Sequence, residues 1–84
     1  MKHRKEPLGN KNIIGNRVSK IRKAQGMKQK EFLARLQTLG LDISSTSLSR
    51  LEGQDRLVQD YEVVIIAKTL EISVNTLLGE KDEK

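Results

Sequence analysis

Apolar residues recur along this chain at spacings of three and four, the repeat of an amphipathic helix. No segment is read as a strand. Ile14, Val18 and Ile21 form the first run, with Ile13 and Ala24 at its flanks and Arg17, Lys20, Arg22 and Lys23 on the wetter positions. This predicts a helix from Ile13 to about Gln25, capped by Asn12 and ended by Gly26. Phe32, Leu36 and Leu39, widened by Leu33, predict a second helix over Lys28 to Leu39. Gly40 suits a left-handed C-terminal cap, after which Leu41 and Ile43 fold the linker back onto the core.

The stretch 44–52, SSTSLSRLE, predicts a third helix on which the rest of the chain is organised. Leu48 and Leu51 fall on one side, and Thr46, Ser49 and Arg50 on the other. Ser44 or Ser45 serves as N-cap, because a hydroxyl accepts a hydrogen bond from an unpaired amide of the first turn. Gly53 supplies a permissive end. Two apolar anchors are few, so this helix must lean on neighbours while its small polar residues and arginine face outward. The loop 53–59, GQDRLVQ, carries Arg56. Asp60 caps a fourth helix that runs to about Leu70, with Val63, Ile66, Ala67 and Leu70 inward, Val64 on the flank and Ile65 on the opposite side. Ser73 caps a last short helix through Leu78, where Leu77 and Leu78 close the bundle before Gly79. The fold class predicted is all-α, a compact bundle of five short helices.

The chain has 84 residues, enough for one domain with a modest core. It holds no cysteine, which fits a reducing cytoplasm and leaves packing alone to hold the fold. No apolar run approaches a membrane span, and the N-terminus has no apolar signal core. Residues 1–12 read as a flexible basic arm, 13–79 as the folded domain and 80–84 as a solvated tail. Charge is unevenly spread. Residues 1–30 carry ten Lys or Arg against one acid, and residues 31–84 carry six against ten. A basic end on an otherwise acidic chain suits a polyanionic partner, although a basic tail with no partner has the same composition. Lys2, Arg4 and Lys5 in the arm suit phosphates or a minor groove. His3 reads as a solvated tail residue.

Catalysis needs a nucleophile with a base, paired carboxylates in a pocket, or metal ligands. The single histidine lies in the arm, the acids sit on helix surfaces or caps, and no phosphate-binding glycine loop occurs, so no enzyme, cofactor or metal is expected. A double-stranded DNA reader needs less: a helix that fits the major groove, side chains projecting from it, and amides and cations on the flanking phosphates. Gln29, in the first turn of the second helix, suits such a phosphate, and it also suits an ordinary surface position. With only Phe32 and Tyr61 as aromatics, there is no platform for stacking single-stranded bases.

At these residues the chain resembles the lambda-repressor-like helix-turn-helix family, also called the Cro or XRE type. The resemblance runs from about Ile13 to Gly79 and rests on IGNRVSKIRKAQGMKQKEF, LSRLEGQDRLVQDYEV and IAKTLEISVNTLLG, in that order. It implies five helices, with the second and third forming the DNA-binding unit. By the same resemblance, Ser45, Thr46 and Arg50 match base-facing positions, and Ser49 matches a serine near the sugar-phosphate backbone and joins them as a candidate base contact. Gln29 matches a phosphate contact and Arg56 a loop position near phosphates or the minor groove. Lys28, Lys30, Gln54 and Arg17 complete the candidate phosphate or minor-groove set. Leu48 and Leu51 match buried positions. The segment from Gln29 to Leu48 is about four residues longer than the commonest pattern, roughly one helical turn. Leu33 stands where a small alanine is usual, Gln37 occupies the slot of the turn glycine, and Gly40 takes over that turn. A longer second helix resembles a subgroup found in Gram-positive bacteria and their mobile elements.

The expected function is therefore sequence-specific binding of double-stranded DNA by a small transcriptional repressor, with Arg50 as the clearest direct reader. A homodimer is expected at least on DNA, with Val64 and Ile65 as candidates for its surface. The alternative is a protein-interaction module of the same fold, an antitoxin or adaptor whose polar helix faces a protein.

Overall fold

The computed structural model describes residues 11–80. Its five helices are α1 (Gly15–Ala24), α2 (Gln29–Thr38), α3 (Ser45–Glu52), α4 (Asp60–Leu70) and α5 (Val74–Leu78), with no strand among the described residues. The all-α bundle read from the periodicity is what the chain forms. α3 packs on α1 and α2, while α4 lies against α2, α1 and α5. The core is built from Ile14 and Val18 of the first segment, Phe32 and Leu36 of α2, and Leu48 and Leu51 of α3. Ile66, Ala67 and Leu70 of α4 and Leu77 of α5 complete it, with Met27 and Leu41 entering from the connections. Among the described residues no helix is long and apolar enough to cross a membrane.

All five helices end in the same way. The amide two residues past the cap returns to the carbonyl at the start of the last turn, and the amide before it returns one residue later, the paired bonds of a Schellman motif. For α2 these are Leu41 N to Leu36 O at 2.9 Å and Gly40 N to Gln37 O at 3.1 Å. The left-handed residue this ending requires is Gly26, Gly40 or Gly79 after α1, α2 and α5. After α3 and α4 it is Gln54 (φ 63°) and Glu71 (φ 60°). Gly53, expected to supply the permissive backbone after α3, has φ −84° and is an ordinary cap, with the left-handed turn one residue later.

This ending also corrects the inner face of α2. Leu39, expected in the core, is 49% exposed, because the turn at Gly40 delivers Leu41 inward in its place. Ile13 is likewise exposed, outside the first turn of α1. The N-terminal caps divide. Ser44 and Ser73 accept amide bonds from Ser47 and Thr76, each at 3.0 Å. The cap of α4 is Gln59 rather than Asp60, since Glu62 reaches back to accept the Gln59 amide at 2.8 Å. Ile14 holds the cap position of α1, and Asn12 Oδ1 accepts the Gly15 amide from two residues further out.

Asn12 was expected to close a flexible arm, but it is buried and forms part of the folded body. Its Nδ2 donates to Leu51 O at 2.9 Å and to Arg56 O at 2.8 Å. It thereby stitches the chain before α1 to the end of α3 and the following loop. Gly15 belongs to the same junction, since a Cβ there would collide with the Leu51 carbonyl oxygen. Arg22, expected on the wet face of α1, is buried as well. The basic residues Lys2, Arg4 and Lys5, with His3, lie outside the described residues.

Candidate functional site

The outer face of α3 and the start of α2 form one continuous surface. Ser45, Thr46, Ser49 and Arg50 are all exposed on it, held from behind by the fully buried Leu48 and Leu51. Two apolar anchors suffice because polar ties supplement them. Arg22 of α1 meets Glu52 at the end of α3 through Nε to Oε2 at 2.9 Å and Nη2 to Oε1 at 3.0 Å, and its Nη1 donates to Met27 O at 2.8 Å. Gln29, the first residue of α2, donates from Nε2 to Glu52 Oε1 at 3.1 Å. The Ser49 hydroxyl donates in turn to Gln29 Oε1 at 3.2 Å. Beside this ladder, an open groove of about 430 Å³ between α2 and α3 is lined by Gln29, Lys30, Leu33, Ser45 and Leu48.

The arginines are allocated unequally. Arg17, expected to face phosphates, donates to the carbonyls that end α5, Nε to Leu77 O at 2.9 Å and Nη2 to Thr76 O at 2.8 Å. Arg35 pairs with Glu31 one turn away on the surface of α2. Arg56, also expected at phosphates or a minor groove, is committed to the fold. Its Nε donates to Ser47 O at 3.1 Å, and Nη1 and Nη2 each reach Glu62 at 3.0 Å. Burial alone would raise the Glu62 carboxyl, but the Arg56 hydrogen bonds, the Gln59 amide and the guanidinium charge outweigh it and hold the pKa below the usual value. Of the five described arginines, Arg50 alone has no hydrogen bond or ion pair from its side chain. It stands on the exposed face of α3.

The remaining candidates fall into two groups. Lys28 and Lys30 are exposed beside the start of α2, on the rim of the α3 surface. Gln54 is turned inward, with Nε2 donating to Asn12 O at 2.9 Å. The candidate dimer residues separate as well. Val64 is exposed, whereas Ile65, expected opposite the core, is partly buried and packed against it. α4 touches three other helices and so buries a wider arc than one stripe.

Periodicity overlooked two more exposed apolar side chains, Leu57 at 53% in the loop before α4 and Tyr61 at 57%, one turn from Val64 on α4. The signal for Tyr61 was present in its spacing of three from Val64, whereas Leu57 lies before the extended cap Gln59, outside the helical repeat. The ladder from Arg22 to Ser49 had no such signal, because its members come from three separate segments. Among the described residues no group of three or more His, Asp or Glu side chains is placed to hold a metal ion. Comparison with protein-family models, with curated proteins and with solved structures gives no match.

Proposed function

We propose that this protein binds double-stranded DNA by laying α3 in the major groove, as a small cytoplasmic transcriptional repressor of the lambda-repressor-like, helix-turn-helix kind. The observation that carries the reading is the isolation of Arg50. Every other described arginine has a partner within the chain, Arg35 on the surface of α2 and the rest at junctions of the fold, while this one extends from an outward helix face beside Ser45, Thr46 and Ser49. A guanidinium pairs with guanine through two hydrogen bonds, and small hydroxyls fit several base edges without blocking the approach of the helix. Lys28 and Lys30 flank that face as point charges for phosphates. Repression needs only occupancy of a site, so a single small domain is sufficient for it.

One short helix reads few bases, and two copies on paired half-sites multiply the specificity. The exposed apolar residues Tyr61 and Val64, one turn apart on α4, are the surface offered to the second copy. The same patch favours a second reading, in which the partner is another protein and α3 is only its polar margin.

Selection of bound sequences from a random duplex pool, at about physiological salt to suppress nonspecific binding, tests the first reading. It expects a palindrome with half-sites about one helical turn apart. A pool that emerges unenriched overturns it and favours the protein partner.

A further inference from the structure

The ladder behind α3 fixes the direction of a hydrogen bond at its surface. A carboxylate accepts and does not donate, so Glu52 requires the NH₂ end of the Gln29 amide, and Nε2 lies 3.1 Å from Oε1. That orientation points Gln29 Oε1 at Ser49, where it too can only accept. The one proton of the Ser49 hydroxyl is therefore spent on Gln29, at 3.2 Å. The reverse amide orientation would set the Gln29 carbonyl against the Glu52 carboxylate, two acceptors face to face. The bidentate grip of Arg22 holds that carboxylate in place. What the exposed Ser49 Oγ offers outward is thus lone pairs alone.

We infer that Ser49 is a one-way reader that accepts a hydrogen bond from an exocyclic amine, N6 of adenine or N4 of cytosine, and that Gln29 is the positioning residue that makes it so. These amines are the donors in the major groove, whereas guanine O6 and N7, thymine O4 and every phosphate oxygen are acceptors. A serine is ordinarily permissive at a base edge because its hydroxyl serves either way. Here the fold has removed half of that freedom, and a phosphate or a base carbonyl opposite Ser49 is repelled. The inference rests on the DNA reading proposed above and deepens it.

The test uses the full chain and the duplex recovered by selection. Each adenine of the half-site is replaced in turn by purine and each cytosine by 2-pyrimidinone, which deletes the amine and leaves the ring. One position is expected at which deletion weakens binding by roughly 2- to 10-fold, the worth of one net hydrogen bond. In Ser49→Ala the same deletion should cost nothing. Gln29→Met, which removes the acceptor for the Ser49 proton, should make that position tolerant of a base carbonyl. If a sequence is selected but Ser49→Ala couples to a carbonyl, or to no base at all, the one-way assignment is wrong and the DNA reading stands. If no sequence is selected, both fall.

Discussion

Arg22 and Glu52, thirty residues apart, face each other through two parallel contacts of 2.9 and 3.0 Å, with both side chains less than a tenth exposed. The pair joins α1 to the last residue of α3 and so sets where the outer face of α3 stands. Removing one partner strands the other charge in the interior. Arg22→Met or Glu52→Gln should lower unfolding free energy in urea by about 3–5 kcal/mol. The double variant Arg22→Met/Glu52→Leu should recover much of that loss, since replacing a buried pair by apolar groups is often nearly neutral.

Asn12 makes a second junction at the same helix end. Its three hydrogen bonds all go to backbone groups, two of them buried. Asn12→Ala takes away the partner of the Gly15 amide and of Arg56 O and one of the two donors to Leu51 O, and should cost about 1–3 kcal/mol in urea unfolding, with Gly15→Ala also destabilising through its clash with Leu51 O. Asn12→Asp should fail to rescue, because a carboxylate cannot donate to the two carbonyls.

The Glu62 carboxyl, held below its usual range by Arg56 and the Gln59 amide, makes stability depend on acidity. In the unfolded chain this group takes up a proton near its ordinary pKa of about 4.3, while the folded state still keeps it ionised. Its contribution is therefore complete above that pH and is lost as pH falls through the lower folded value. Thermal unfolding should show a falling midpoint below about pH 5, and Glu62→Gln should flatten that slope while lowering stability at neutral pH. Arg56→Ala should behave as a stability variant too, because its guanidinium is committed to Glu62 and Ser47.

Glu71 occupies a left-handed position that costs a side-chain-bearing residue roughly 1–2 kcal/mol relative to glycine. Glu71→Gly should raise the unfolding midpoint in urea, with a gain of about 1 kcal/mol. Gly40→Ala, at φ 103° with open space around it, should fall by a comparable amount through backbone strain alone.

Arg50→Ala should leave stability within about 0.5 kcal/mol, as expected of a surface residue without partners. The same change should erase preference for one guanine in the selected site, a discrimination of about 1–3 kcal/mol. Selection repeated with the variant protein measures it, and an unchanged preference would show that Arg50 does not read a base.

The helices and most of the core were legible in the chain because periodicity reports on one element at a time. Phe32, Leu36, Leu48, Leu51, Ile66 and Leu70 are where their spacing places them, and Ser44 and Ser73 cap as their chemistry suggests. Beyond Leu39 and Ile65, the errors concern polar residues. Spacing assigns Arg17 and Arg22 to wet positions and leaves Arg56 in a loop; Arg17 is exposed as expected and Arg22 is buried, yet all three find partners within the fold. For Arg17 and Arg22 the partner lies on a helix 30 to 60 residues away, which no local pattern encodes. Gln54 and Glu71 carry no mark of the left-handed turns they make, because glycine is the usual sign of one. For the candidate surface, the outward face of α3 was visible in the sequence, but its backing was not. Which hydroxyl is free and which arginine is unspent depend on contacts among α1, α2 and α3.

Five identical terminations have a mechanical consequence. Each helix leaves its last turn on a set heading, and the connections between helices are only three to seven residues long. A domain joined this way has no slack segment to serve as a hinge. If it binds DNA as proposed, it does so as a rigid stamp of fixed relief, and mutual adjustment then falls to the bending of the duplex or to the spacing between one stamp and the next.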